Sequence, residues 1–179
     1  MSFIRAFLIS LVVFIALNFV FSLISLVILY GGDTFTEIEN QPLEIINMLF
    51  GSILYSPGTL GTSIAKTSIN EALETAEVTA IMIRYIGMFV APIIAAILAG
   101  RFGDSKVNSF GGWFLAAIIT MVVWIILFFI ENDYTTSILP ELISSLEDEI
   151  LLSSIIIAGA VNGVFYGGIA VLTVQSDVY

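Results

Sequence analysis

Asn18, Arg84 and Asn162 are the side chains of this 179-residue sequence best placed to form a polar site in an apolar setting. Each lies within a long run of aliphatic and aromatic residues. A guanidinium in such a run pairs with a carboxylate or grips an anionic group. A carboxamide bonds across helices, at about 1 kcal/mol per bond in a membrane. Arg84 is the only charge inside any of the core runs and lies a turn or two from the run's start. It is expected to anchor at the interface or to pair with Glu74, Glu77 or the Glu147-Asp148-Glu149 triplet. Binding an anionic headgroup or substrate is the sharper alternative. Asn18 and Asn162 reach similar depth when each helix is measured from its own start, at about 1.5 Å per residue. They are expected to face one polar interior, where they could bond each other. Structural hydrogen bonding is their first expected role, and ligand contact the second.

Other chemistry is restricted. The chain has no Cys and no His. That excludes disulfides, thiol nucleophiles and thiolate or imidazole metal sites, and removes the commonest general base. No base stands beside any Ser, Thr or Tyr in a catalytic spacing. Glu147-Asp148-Glu149 offers oxygen ligands for a divalent cation, but adjacent acids on one helix do not converge. Gly31-Gly32-Asp33 and Gly103-Asp104-Ser105 read as turns rather than phosphate-binding loops. With 5 basic and 15 acidic residues, there is no basic patch for nucleic acid. No catalysis, cofactor or metal is expected.

A second set of residues acts by being small. Gly159, Gly163 and Gly167 recur every fourth residue and form a bare ridge on a helix. Gly87, Ala91, Ala95 and Ala99 form a matching ridge. Lipid supplies little hydrophobic force between helices, so close backbone approach at small residues holds them together. The two ridges lie on segments of the same direction and are expected to pack closely, within the chain or between copies.

These residues must be carried by membrane-spanning elements. The sequence is 59% hydrophobic and 11% charged, whereas a soluble domain is about a quarter charged. Several uncharged runs exceed the roughly 20 residues that cross a bilayer as a helix. The expected fold is a single all-α integral membrane domain, a bundle of four spans at about 4–30, 78–100, 108–130 and 150–174. The first run is too long for a cleaved signal peptide and ends without a small-x-small site, so it is expected to be retained. Asn18, Ser22 and Ser25 share a face of it, expected to point at other helices. Trp113 is expected in an interfacial aromatic belt, with Trp124 deeper. Residues 66–77 read as an acidic helix. In the 131–149 loop, Ile138, Leu142 and Leu146 recur at helical spacing and predict a surface-lying amphipathic helix.

Residues 45–65 carry no charge but are interrupted by Ser56-Pro57-Gly58. They form either a kinked span or a re-entrant or interfacial hairpin, with a short helix over 43–55. Four spans place Arg5, Arg101 and Lys106 on the inner side with both termini. A fifth span would move Arg101 and Lys106 outside, so the positive-inside rule favours four. Both termini are then cytoplasmic in the cell membrane. Thirteen of the fifteen acids fall outside, in loops 31–77 and 131–149. Gln41-Pro42-Leu43-Glu44-Ile45-Ile46 and Leu139-Pro140-Glu141-Leu142-Ile143 hint at an internal duplication of the kind transporters use.

The function expected from this pattern is that of a small non-catalytic subunit or assembly partner of a membrane complex. Its partners would be membrane lipid and other membrane proteins or a second copy. The alternative is a transporter or channel component with a polar path near Asn18, Asn162 and Arg84. A lipid-acting enzyme is the least supported class.

Overall fold

The computed structural model describes residues 2–70, 75–131 and 148–174. Nearly all of these residues are helical, with no strand among them. Seven α-helices follow in order: α1 (Ser2–Tyr30), α2 (Thr34–Asn40), α3 (Glu44–Phe50), α4 (Pro57–Asn70), α5 (Ala76–Phe102), α6 (Lys106–Ile130) and α7 (Asp148–Leu172). Short 3-10 turns at Gly31–Asp33 and Gly51–Leu54 follow α1 and α3. Four helices, α1, α5, α6 and α7, are long and apolar enough to cross a membrane. The expected amphipathic helix of the 131–149 loop and the second half of the proposed repeat lie outside the described residues, as do residues 71–74 of the expected acidic helix at 66–77, whose two ends belong to α4 and α5 with the extended Thr75 between them.

Local chemistry explains the helix ends. Gly31 takes a positive φ of 57° and leaves α1, a backbone state that glycine enters without penalty. Thr75 and Ser105 cap α5 and α6 by accepting from the backbone N–H of Val78 and Asn108, each at 3.2 Å. Asp104 makes the tight 103–105 turn in the left-handed region, with φ 55°.

The long helices form a ring in the order α1, α5, α7, α6, with α5 and α6 also touching across the middle. The polar stripe of α1 faces inward as expected. Asn18, Ser22 and Ser25 are buried, and the Ser25 hydroxyl donates to the Ala80 carbonyl of α5 at 2.8 Å. Trp113 departs from the expected interfacial belt. It is fully buried and meets Phe14 and Tyr166 edge to face, with ring centroids 5.6 and 5.8 Å apart. An indole offers large area and one donor, and here its N–H donates to the Asn162 carbonyl at 3.3 Å.

The small-residue ridges are both used inside the chain, but not against each other. A β-carbon on Gly159 would meet Met121, one on Gly163 would meet Phe114, and one on Gly167 would meet Phe110, all of α6. Phe110 and Phe114 stack at 5.5 Å, and this pair of rings needs a bare groove opposite it. On α5, Gly87 instead receives Phe21 of α1, while Ala91, Ala95 and Ala99 are fully buried. The α5–α7 approach is made elsewhere, where Gly100 faces the Ala170 carbonyl and the Thr173 side chain.

Candidate functional site

The site is built on a break in regular structure. After α3, Phe50 turns out of helical geometry with φ −129° and ψ −2°, and Gly51–Leu54 form a 3-10 turn. Tyr55 is extended, with φ −109° and ψ 121°, and Pro57 opens α4. Gly51 leaves room for its neighbours: a β-carbon there would stand 2.2 Å from Asn47 Oδ1 and 3.3 Å from Met88 Cε, so both side-chain ends would have to shift. The break predicted at Ser56-Pro57-Gly58 is therefore present, and it begins several residues earlier. Gly51, Ser52, Ile53 and Leu54 are all buried among α5, α6 and α7.

A buried break leaves carbonyls that no helix satisfies, so partners must come from neighbouring elements. The Trp124 indole N–H of α6 donates to the Phe50 carbonyl at 3.1 Å. The Asn162 carboxamide of α7 donates to the Ile53 carbonyl at 2.8 Å and to the Tyr55 carbonyl at 3.1 Å. The Tyr55 N–H closes on the Ser52 carbonyl at 3.3 Å, and the Leu60 N–H on the Ser56 carbonyl at 3.0 Å. Asn162 lies near the middle of α7, so the break sits at the centre of the bundle's length.

In front of the break is a cleft of about 260 Å³ between α1, α3 and α5. Its polar lining is Ser25, Glu44, Asn47, Tyr55, Arg84 and Tyr85, and its apolar lining is Leu26, Leu29, Ala80, Ile81 and Met88. A second cavity of about 160 Å³ shares Leu26, Leu29, Glu44 and Arg84 and extends along Tyr30, Glu37, Ile38 and Gln41. Arg84 and Glu44 form an ion pair through a guanidinium N–H and Oε1, with side chains only 23% and 14% exposed. Glu44 Oε2 accepts from Asn47 Nδ2 at 3.1 Å. The rings of Tyr55 and Tyr85 meet edge to face at 6.3 Å.

The three polar candidates thus separate. Arg84 lines the cleft, and among the described residues its partner is Glu44 rather than Glu77 or Glu149, while Glu74, Glu147 and the Asp148 side chain lie outside the described residues. Glu77 is exposed, whereas α3 delivers its first-turn carboxylate alongside the N-terminal half of α5. Asn162 stands behind the cleft floor and holds Tyr55 by its carbonyl. Asn18 does not meet Asn162. It donates to the Phe14 carbonyl of its own helix at 3.0 Å. α1 and α7 sit diagonally in the ring, and the Trp113 indole lies between Phe14 and Tyr166.

No protein-family model, curated protein or solved structure matches the chain.

The Arg84–Glu44 pair can hold charge, and the hydroxyls and amides around it can donate and accept. Among the described residues, no three acidic side chains stand close enough to hold a metal ion. Ser52 Oγ, Asn162 Oδ1 and the Tyr166 hydroxyl are buried with no hydrogen-bond partner among the described residues. Each such group costs about 1–3 kcal/mol relative to a satisfied one.

In the sequence, Glu44 enters only through the candidate repeat and Trp124 only by its depth, and neither they nor Gly51 have a site role. Glu44 had a detectable signal, since it is the acid that directly borders the uncharged 45–65 run. Gly51 and the donor role of Trp124 had none.

Proposed function

We propose that the protein is a four-span integral membrane protein of the cell membrane, a non-catalytic transport component that binds a small polar solute in the Arg84–Glu44 cleft. In this reading the 44–70 segment re-enters from the outer side, both termini are cytoplasmic, and loops 31–77 and 131–149 are outside. The supporting observation is the juxtaposition of a mid-bundle break, satisfied by Trp124 and Asn162, with a partly buried ion pair at its entrance. Irregular backbone at membrane depth is tolerated where protein or a polar cavity satisfies it, and transporters gather discontinuous helices at such places. Ionisable groups inside a membrane are expensive to maintain, which favours a working role for the pair.

The subunit reading loses one of its supports, because both small-residue ridges are covered within the chain. What still favours it is the outward face of α7. Ala160 and Val164 are exposed there, and nothing lies within 4 Å of a β-carbon built on Gly168.

The two readings separate in one preparation. Purified protein reconstituted in liposomes is assayed for uptake of radiolabelled amino acids, organic anions and organic cations. The transport reading expects saturable uptake of one class, lost in Arg84→Gln and Glu44→Gln while both variants stay folded. Absence of uptake for every class, with a fixed-stoichiometry membrane partner in the gently solubilised native protein, would overturn it in favour of the assembly role.

A further inference from the structure

We propose that the free donor side of Arg84 binds a phosphate ester in the cleft between α1, α3 and α5. This rests on the transport reading and names the chemistry of its ligand. Arg84 donates to Glu44 Oε1 through Nη2, its one hydrogen bond among the described residues. A guanidinium carries several more N–H donors, and this one borders both the cleft and its annex. The acceptors nearby are already occupied. Glu44 takes Arg84 at Oε1 and Asn47 Nδ2 at Oε2, the latter at 3.1 Å, and makes a further interaction besides. Asn47 Oδ1 stands against Gly51, and the Ala80 carbonyl accepts from the Ser25 hydroxyl at 2.8 Å. Tyr85 brings another hydroxyl to the lining. The cleft therefore offers more donors than open acceptors, and it suits a ligand that accepts. A phosphate group presents oxygens that a guanidinium fork can hold two at a time, with Glu44 remaining on the other side of the fork. An ammonium would instead meet Arg84 as a like charge and compete with it and with Asn47 for Glu44.

Depth and walls point to the same chemistry. The 27 residues of α5 rise about 40 Å, so a hydrocarbon core of about 30 Å leaves about 5 Å of helix beyond each side. Arg84 lies about 12 Å along the axis from the start of α5 at Ala76, which puts its backbone about 7 Å inside the core. A long basic side chain at that depth reaches the phosphate layer. The cleft, at about 260 Å³, is smaller than the roughly 300–1,000 Å³ of drug-sized sites and suits a headgroup rather than a whole lipid. Its mouth is bordered by Leu29 and Ile81, which are 41% and 39% exposed on the apolar surface of α1 and α5. A headgroup still attached to its acyl chains fits such a sideways opening. A free phosphate ester would come through the annex, past Glu37 and Gln41.

The test is calorimetric titration of the full chain, solubilised in an uncharged detergent, with four probes. These are short-chain phosphatidylglycerol, short-chain diacylglycerol, glycerol phosphate and ethanolamine. At least one phosphate probe is expected to bind at least about tenfold more tightly than both diacylglycerol and ethanolamine. Tighter binding of phosphatidylglycerol than of glycerol phosphate assigns the lipid headgroup as the source, and the reverse assigns a free phosphate ester. Arg84→Gln is expected to lose the phosphate preference. Glu44→Gln, which releases the whole fork, is expected to bind the phosphate probe severalfold more tightly than wild type, an effect that a purely structural ion pair would not give. Should Arg84→Gln fail to fold, the double variant Arg84→Gln/Glu44→Gln, which removes both charges together, is expected to lose the preference in its place. Equal binding of all four probes, binding of none, a preference that survives without Arg84, or weaker phosphate binding by folded Glu44→Gln overturns the proposal. Phosphate binding without liposome uptake would overturn the transport reading and leave this assignment standing. Saturable uptake lost in Arg84→Gln, with no phosphate preference, would do the opposite.

Discussion

One carboxamide, that of Asn162, closes two carbonyls of the broken segment, and its effect can be separated from that of its unpartnered neighbours. Asn162→Ala removes both bonds to the Ile53 and Tyr55 carbonyls. Interhelical bonds of this kind contribute about 0.6–1.7 kcal/mol each, so a loss of about 2 kcal/mol is expected in equilibrium unfolding from mixed micelles. Tyr166→Phe and Ser52→Ala are expected to do the reverse. Their hydroxyls are buried without partners, so removal should be neutral or stabilising by about 1 kcal/mol. A loss above about 1 kcal/mol in either variant would show that the hydroxyl is satisfied in the membrane. Asn162 was legible in the sequence because a carboxamide in an apolar run has to find a partner. The partner was not legible, since a backbone carbonyl has no residue identity. Asn18 shows the same limit: its type and burial were readable, but its bond to Phe14 of its own helix was not.

Among the elements, periodicity identified the glycine ridge but not the helix that fills it. Spacing of four residues states that one face of α7 is bare. Whether aromatic rings or another backbone enters that groove depends on the order of helices in the ring, which no local pattern encodes. A close approach of α1 to α6 lies at Gly112, which reads in the sequence only as part of a span entrance. A β-carbon there would stand 2.8 Å from Ala6 Cβ and 2.9 Å from the backbone nitrogen of Phe7. Backbone cannot swing aside as a side-chain end can, so Gly112→Ala must push α1 from α6. The expected loss is about 1–3 kcal/mol. Gly168→Ala is the matched control in α7, with no atom within 4 Å of the new carbon. It should match wild type or gain up to about 1 kcal/mol from the higher helix propensity of alanine. Both are read by thermal unfolding of the detergent-solubilised protein. Equal effects at the two positions would mean that α1 and α6 do not meet at Gly112.

For the molecule as a whole, the number of long apolar helices was legible because 20-residue uncharged runs leave few other options in the sequence. The course of 44–70 was not, because the same residues suit a kinked span and a hairpin. The structure divides this stretch into α3, a 3-10 turn and α4, and puts its turn beside the middle of α7. A segment that turns there and returns leaves the 103–105 loop on the side of the N-terminus. A segment that crosses puts that loop on the opposite side. The chain has no cysteine, so a single introduced thiol reports alone. Val107→Cys is suitable because Val107 is 80% exposed and its replacement alters no charge that sets orientation. Thr36→Cys, at an exposed position of α2, marks the outer side in either case. In intact cells, a membrane-impermeant maleimide is expected to label Thr36→Cys and to reach Val107→Cys only after permeabilisation. Labelling of both thiols in intact cells would mean that 44–70 crosses the bilayer. Glu44 would then begin the crossing on the outer side while Arg84 lay near the inner start of α5, so the Arg84–Glu44 pair could not form and the cleft reading would fall with it.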